Sequence, residues 1–299
     1  MAAKETRPKR VTIGALLALL LALTLAAPAR AAETLDPSFG EGGISFPGLG
    51  GGDVRGLAQD AEGRLISGGG APLSLFLVSR YLSEGALDRS FGDGEGYVAS
   101  HLGIGSRANA VAVQPDGKII AAGSTTAGAF ILTRYEDDGH RRDPGFGKDG
   151  QTRTIAGNLG GGAQDVEVEP SGRILVAGYG IDAHRKWTAM LAAYRPNGAL
   201  DKRFSSDGIV HINTEGVLPI ELKSVEALPG GRIVAAGDND GWAMVVALHP
   251  DGEPDRRFGG DGIVVSEPDR LRHCACSYAS GMVVDRRGRI VVSANVTAP

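Results

Sequence analysis

Side chains able to do chemistry are few and scattered in this chain. His273-Cys274-Ala275-Cys276 is the one stretch that sets a histidine beside two thiols. In an extended strand both thiols would point to one face, about 6.6 Å apart along the chain. That spacing lies at the limit of disulfide geometry, so a Cys274–Cys276 bond would be strained and reducible. Three readings stay open: that disulfide, a Cys/His half-site for a metal, or a bridge to another molecule. The disulfide is the expectation in an oxidising compartment, because two cysteines do not make a closed zinc site within one chain.

The other candidates are weaker. His101, His140, His184, His211, His249 and His273 are spread without a common spacing, so they imply no ring of metal ligands. Asp238-Asn239-Asp240-Gly241 resembles the opening of a calcium loop but lacks the downstream glutamate, and reads better as a polar hairpin turn. Trp187 and Trp242 are candidates for contact with a carbohydrate or protein partner, set against plain packing. No nucleophile elbow, His-Glu-x-x-His, phosphate-cradling glycine loop or dinucleotide fingerprint occurs. The expectation is therefore a protein with no catalytic residues, no metal and no cofactor.

The elements that would position these residues are set by a repeat. Leu35-Asp36-Pro37-Ser38-Phe39-Gly40 returns around Phe91, Phe146, Phe204 and Phe258, at spacings of 52, 55, 58 and 54 residues. So steady a period signals a repeat architecture. Each unit carries a second anchor, clearest at Asp116-Gly117-Lys118-Ile119-Ile120-Ala121-Ala122-Gly123 and repeated from Gly172, Gly231 and Gly288. A β-prone run precedes it, joined by a Pro/Asp/Gly turn, which describes a hairpin. A third run closes on an aromatic, as in Phe130-Ile131-Leu132-Thr133-Arg134-Tyr135, and a fourth follows the Asp-x-x-Phe stretch. Four short strands per 52–58 residues, with no helical pattern, predict an all-β fold: a β-propeller of about five four-stranded blades.

These anchors together, Leu35 to Gly40, Val113-Gln114-Pro115-Asp116-Gly117-Lys118-Ile119 and Arg134-Tyr135, resemble the delta-60 repeat family of secreted bacterial proteins. The resemblance covers residues 35–293 and is sharpest around Phe91 and Phe146. It implies a propeller on a secreted or surface protein and carries no catalytic motif. The repeat begins on a fourth strand, Gly43-Ile44-Ser45-Phe46, and ends near Val291-Val292-Ser293 after a second strand. The last blade is thus expected to be incomplete or closed by the N-terminal strand, and an open edge would be an association surface.

Residues 1–31 read as a signal peptide and residues 32–299 as the propeller domain. Lys4, Arg7, Lys9 and Arg10 lead an apolar run from Val11 to Ala27, and Ala29-Arg30-Ala31 offers a small-x-small cleavage site. Cleavage near Ala31-Ala32 would export the chain and leave no membrane span. Removing the leader's five basic residues and one acid leaves 26 basic and 34 acidic residues, a formal charge of −8. A surface of that sign repels nucleic acid. The expectation is a secreted binding or structural module for a protein, glycan or cell-envelope partner. The alternative is an extracytoplasmic enzyme with its site in the axial funnel. The strands expected nearest the axis, such as Ala110-Val111-Ala112-Val113, offer that alternative no acid, base or nucleophile.

Overall fold

The computed structural model describes residues 35–157, 159–212, 220–239, 241–266 and 276–297. The leader, Cys274 and Asp240 lie outside these residues, and so does any pairing of Cys274 with Cys276.

The described chain is all-β and folds into successive antiparallel sheets. Blade 1 holds β1 (Asp53–Gln59), β2 (Leu65–Ala71), β3 (Leu75–Tyr81) and β4 (Tyr97–Ser100). Blade 2 holds β5 (Arg107–Val113), β6 (Ile119–Ser124), β7 (Ala129–Tyr135) and β8 (Gln151–Ile155). Blade 3 holds β9 (Gly160–Val168), β10 (Ile174–Ile181), β11 (Trp187–Tyr194) and β12 (Ile209–Ile212). Blade 4 holds β13 (Ile220–Ala227), β14 (Ile233–Asn239), β15 (Trp242–Leu248) and β16 (Ile263–Val265). A last, two-stranded sheet pairs β17 (Cys276–Val284) with β18 (Ile290–Thr297).

Each sheet is a simple meander, so every strand pairs with its neighbour in sequence. The first strands form the inner series, since β1 meets β5, β5 meets β9, β9 meets β13 and β13 meets β17. That is the arrangement of propeller blades around an axis. Among the described residues, the first and last sheets are not among the element pairs in extensive contact. Gly43-Ile44-Ser45-Phe46 forms one bridge, Glu41 with Ile44, and none with β18.

The core is divided into layers between blades. Ile66, Phe76, Val78 and Phe91 of blade 1 pack on Ala108, Val111, Ile119 and Ile131 of blade 2. The next two layers join blades 2 and 3, then blades 3 and 4. The repeated phenylalanine is among the largest side chains in each layer, and Phe91, Phe146 and Phe204 are fully buried.

That phenylalanine works through a lock that recurs from blade to blade. Gly40, Gly92, Gly147 and Ser205, each following the phenylalanine, donate N–H to Glu84, Asp138, Asn197 and Asp251 in the next blade's β3–β4-type turn, at 2.7–2.9 Å. The ring lies against that turn's glycine, where an added Cβ at Gly85, Gly198 or Gly252 would stand 2.9–3.1 Å from it. An arginine then covers the ring: Arg80 over Phe91 at 4.7 Å, Arg134 over Phe146 at 4.9 Å, Arg173 over Phe204 at 6.0 Å and Arg232 over Phe258 at 5.6 Å. Such stacking on a desolvated ring contributes about 1–2 kcal/mol. Arg80, Arg134 and Arg173 also donate to the carbonyls of Asp137, Pro196 and Pro250 in the following blade.

Candidate functional site

The inner strand of every blade carries a bulge at the same place. Pairing skips one residue between Val54 and Gly56, Ala108 and Ala110, Ala163 and Asp165, Leu222 and Ser224, and Ala279 and Gly281. The residues left out of the ladder are Arg55, Asn109, Gln164, Lys223 and Ser280, and all five are polar. A bulge frees one side chain from the alternation of the strand and re-aims it, which is why bulges recur beside functional sites.

The second-strand glycine of the repeat exists to accommodate this bulge. A Cβ on Gly69, Gly123, Gly178 or Gly237 would run into the carbonyl oxygen of Asp53, Arg107, Gly162 or Glu221, two residues before each bulge. The Ala-Ala-Gly ending therefore encodes a displaced carbonyl, and through it the direction of the polar side chain.

Arg55, Asn109 and Gln164, from three different blades, line one cleft together with Arg107, Thr125 and Tyr179. Its volume is about 300 Å³. Asn109 Nδ2 donates to the Ala163 carbonyl at 2.7 Å, which fixes the amide's orientation. Its Oδ1 is left buried without a partner, and so is the Oγ1 of Thr125. Gln164 Nε2 donates to Glu221 at 3.3 Å. Lys223 neutralises Glu221 at 3.1 Å and Asp238 at 2.6 Å. Arg55 is paired with Asp53. Arg107 is exposed, and no ion pair joins it to any described residue. Burial pushes the Tyr179 hydroxyl up, the Glu221 charge adds to that, and the Arg107 charge opposes it.

Trp187 stacks on Tyr179 with centroids 4.7 Å apart and planes 21° from parallel. It is half-buried. Trp242, also half-buried, opens β15 opposite Asn239. Cys276 opens β17. Among the described residues no three His, Cys, Asp or Glu side chains are grouped to hold a metal. No described helix is long and apolar enough to cross a membrane.

The sequence-based expectation was that the inner strands, Ala110-Val111-Ala112-Val113 and Lys223-Ser224-Val225-Glu226-Ala227, offer little acid, base or nucleophile; the bulges add a polar side chain to each inner strand. Read as an unbroken strand, Ala110-Val111-Ala112-Val113 alternates between two blade interfaces and shows no polar group. Asn109, one residue earlier, escapes that alternation.

A second group is electrostatic. Asp165 and Glu167 of β9 face blade 4, where Val225 N–H donates to Asp165 at 2.8 Å, and Glu226 accepts from Val284 at 2.8 Å. Burial first, then the charges of Asp165, Glu226 and Glu169, push the Glu167 carboxyl up to about 7.

One family model agrees with this architecture. Residues 114–146, about one blade, match a family described as a domain of unknown function (DUF5122) β-propeller. No curated protein matches the chain. Similar solved structures include a Lactobacillus plantarum protein at 15% identity and TM-score 0.45, covering 74% of this chain and 56% of that one. Another is a protein of unknown function from Dyadobacter fermentans, at 11% identity and TM-score 0.46, covering 81% and 75%. A third is the extracellular domains 1–2 of Drosophila Semaphorin 1b, at 14% identity and TM-score 0.35, covering 74% and 46%. The chain thus spans little more than half of the first of these structures. What the sheets and the family match define is a β-propeller repeat protein.

Proposed function

We propose that this protein is an exported, non-catalytic β-propeller of the delta-60 repeat type that binds a glycan or another polar envelope component in its axial cleft. One observation carries the reading: three bulged inner strands aim Arg55, Asn109 and Gln164 into one cleft. The basic head, apolar run and Ala29-Arg30-Ala31 site of the N-terminus supply the export signal. Convergence of polar groups also suits an enzyme, but this cleft lacks the pair of proton-transfer groups that acid–base chemistry needs. Its lining offers guanidinium, amide and hydroxyl groups, which orient a ligand without transforming it.

The enzyme alternative has one specific support. Glu167, held near 7, carries the pKa of a general acid, although it lies outside the cleft lining. A panel of envelope glycans and small polar metabolites, screened against residues 32–299 by ligand-observed NMR, separates the two. Saturable binding without new product resonances over days supports the module. Turnover abolished by Glu167→Gln would replace it with the enzyme.

A further inference from the structure

The two ends of the blade series expose complementary halves of one interface. We propose that a second copy of this chain docks there, its last sheet against the open face of blade 1, so that copies join head to tail. This is independent of what the axial cleft binds.

The interface is built three times inside the chain. Each blade after the first turns two inner-strand residues toward the blade before it, one just ahead of the bulged residue and one two places after it. They are Ala108 and Val111, Ala163 and Val166, and Leu222 and Val225, and all six are buried. Each pair shares its layer with the second residue of the preceding blade's second strand, which is Ile66, Ile120 and Leu175 in turn.

At the two ends the same positions are open. Val54 and Leu57 of blade 1 are exposed, and so are Val291 of β18 and its pairing partner Val283 of β17. Both faces are open in one chain, so that chain does not cover one with the other. A second copy offers each face the surface that the repeat already fits to it. Apolar surface left open in this way marks an association site.

The open face of blade 1 also carries a groove of about 550 Å³, lined by Phe46, Pro47, Leu49, Val54 and Leu77. Leu77 is the counterpart of Ile131, since the two pair with equivalent glycines, Gly69 and Gly123. Between blades 1 and 2, Ile131 and Val111 cluster with Ile66, Phe76 and Val78 of the preceding blade. The groove is therefore where a preceding blade places its aliphatic side chains, and the last sheet of a second copy brings Val283 and Val291.

Charge fits the same pairing. The first hairpin turns of blades 1 and 2 line one cleft, so the docked copy sets its own β17–β18 turn beside the β1–β2 turn. The former, Asp285-Arg286-Arg287-Gly288-Arg289, has three cations against one acid; the latter, Asp60-Ala61-Glu62-Gly63-Arg64, has two acids against one cation. Glu62, Arg286 and Arg287 are exposed, and opposite charges so placed steer encounter and fix register. The contact joins unlike faces, so each copy has one head and one tail.

Sedimentation of the mature chain, residues 32–299, tests this over a dilution series in reductant, which removes any cysteine bridge. The mean mass should rise with concentration, and rise less as salt is added. Leu57→Asp blocks the head and Val291→Asp the tail, so each should weaken self-association about tenfold or more by burying a lone carboxylate. Both positions face water, so each variant when dilute should melt close to the parent. Mixed in equal amounts, the two variants should form a one-to-one dimer, because the tail of the first still fits the head of the second. A parent that stays monomeric overturns the proposal, as does association that survives both substitutions. A mixture that stays monomeric while the parent associates overturns the head-to-tail contact. A variant that melts far below the parent also overturns it, because that side chain is then covered within one copy.

Discussion

The Arg134 guanidinium stands 4.9 Å from the ring centroid of Phe146, held there by Asp143. Asp143 Oδ2 accepts from Arg134 Nε and from Lys118 Nζ, each at 2.7 Å. Burial alone would raise the Asp143 carboxyl; the bonds from Lys118, the Gly145 N–H and Arg134 outweigh it and hold it at about 2. The folded pKa is thus below the unfolded one, so folding releases the proton more readily. The stabilisation is present above about pH 4 and is lost as the pH falls toward about 2. Chemical denaturation at pH 2–5 should show this loss, and Asp143→Asn should be less stable at pH 5 with a flatter acid limb. An unchanged limb would mean that the lock carries no charge-dependent stability.

Glu167 has the opposite sign. Its folded pKa is raised to about 7, above the ordinary carboxyl value of 4.5, so the folded state holds the proton more tightly. Stability then falls as the pH rises from about 4.5 through about 7. Glu167→Gln should be more stable than the parent at pH 8 and close to it at pH 4. Melting curves across that range read the crossover, and parallel curves for the two proteins would refute it.

How much of this was legible in the sequence depends on which periodicity carried the signal. The blade unit, the hairpins and the phenylalanine were legible because their spacing recurs. Arg80-Tyr81 and Arg134-Tyr135 give way to Ala193-Tyr194 and Ala247-Leu248 in blades 3 and 4. In the fold a second cation of the repeat, Arg64, Lys118, Arg173 and Arg232 in blades 1 to 4, is kept. Arg173 and Arg232, leading the second strand, cover Phe204 and Phe258 from a different backbone position. A linear alignment of the repeats cannot show that two positions 15–20 residues apart, Arg173 and Ala193 or Arg232 and Ala247, serve one space. The bulge was hidden for a related reason, since one unpaired residue shifts the face of everything around it. Its trace was the glycine after Ala-Ala, legible only once the carbonyl opposite is placed.

The lock also predicts a gradient along the chain. Phe146 is fully buried between blades 2 and 3, whereas Phe258 is half-buried, and no following turn glycine covers it among the described residues. Phe146→Ala should cost about 3–5 kcal/mol. Phe258→Ala, with less area to lose, should cost no more than about 2 kcal/mol. Urea unfolding of the two variants decides this, and equal costs would mean that Phe258 is covered in solution as its counterparts are.

The same comparison can be made across the outward face of blade 1. Leu57 and Val111 follow their bulges by two residues and so occupy equivalent places in the repeat. Val111 is 6% exposed, packed on blade 1, while Leu57 is 65% exposed and Val54 57%. On the far side, Val291 is 50% exposed, whereas its counterparts Ile66, Ile120, Leu175 and Val234 are buried. The two end faces therefore carry the two halves of the interface that the inner blades bury. A carboxylate placed in that interface is stranded without a partner, so Val111→Asp should cost about 4 kcal/mol or more. Leu57→Asp should cost under about 1 kcal/mol, since water already reaches it. A large loss at Leu57, measured on dilute monomer, would show the first and last sheets packed together in solution and the ring closed.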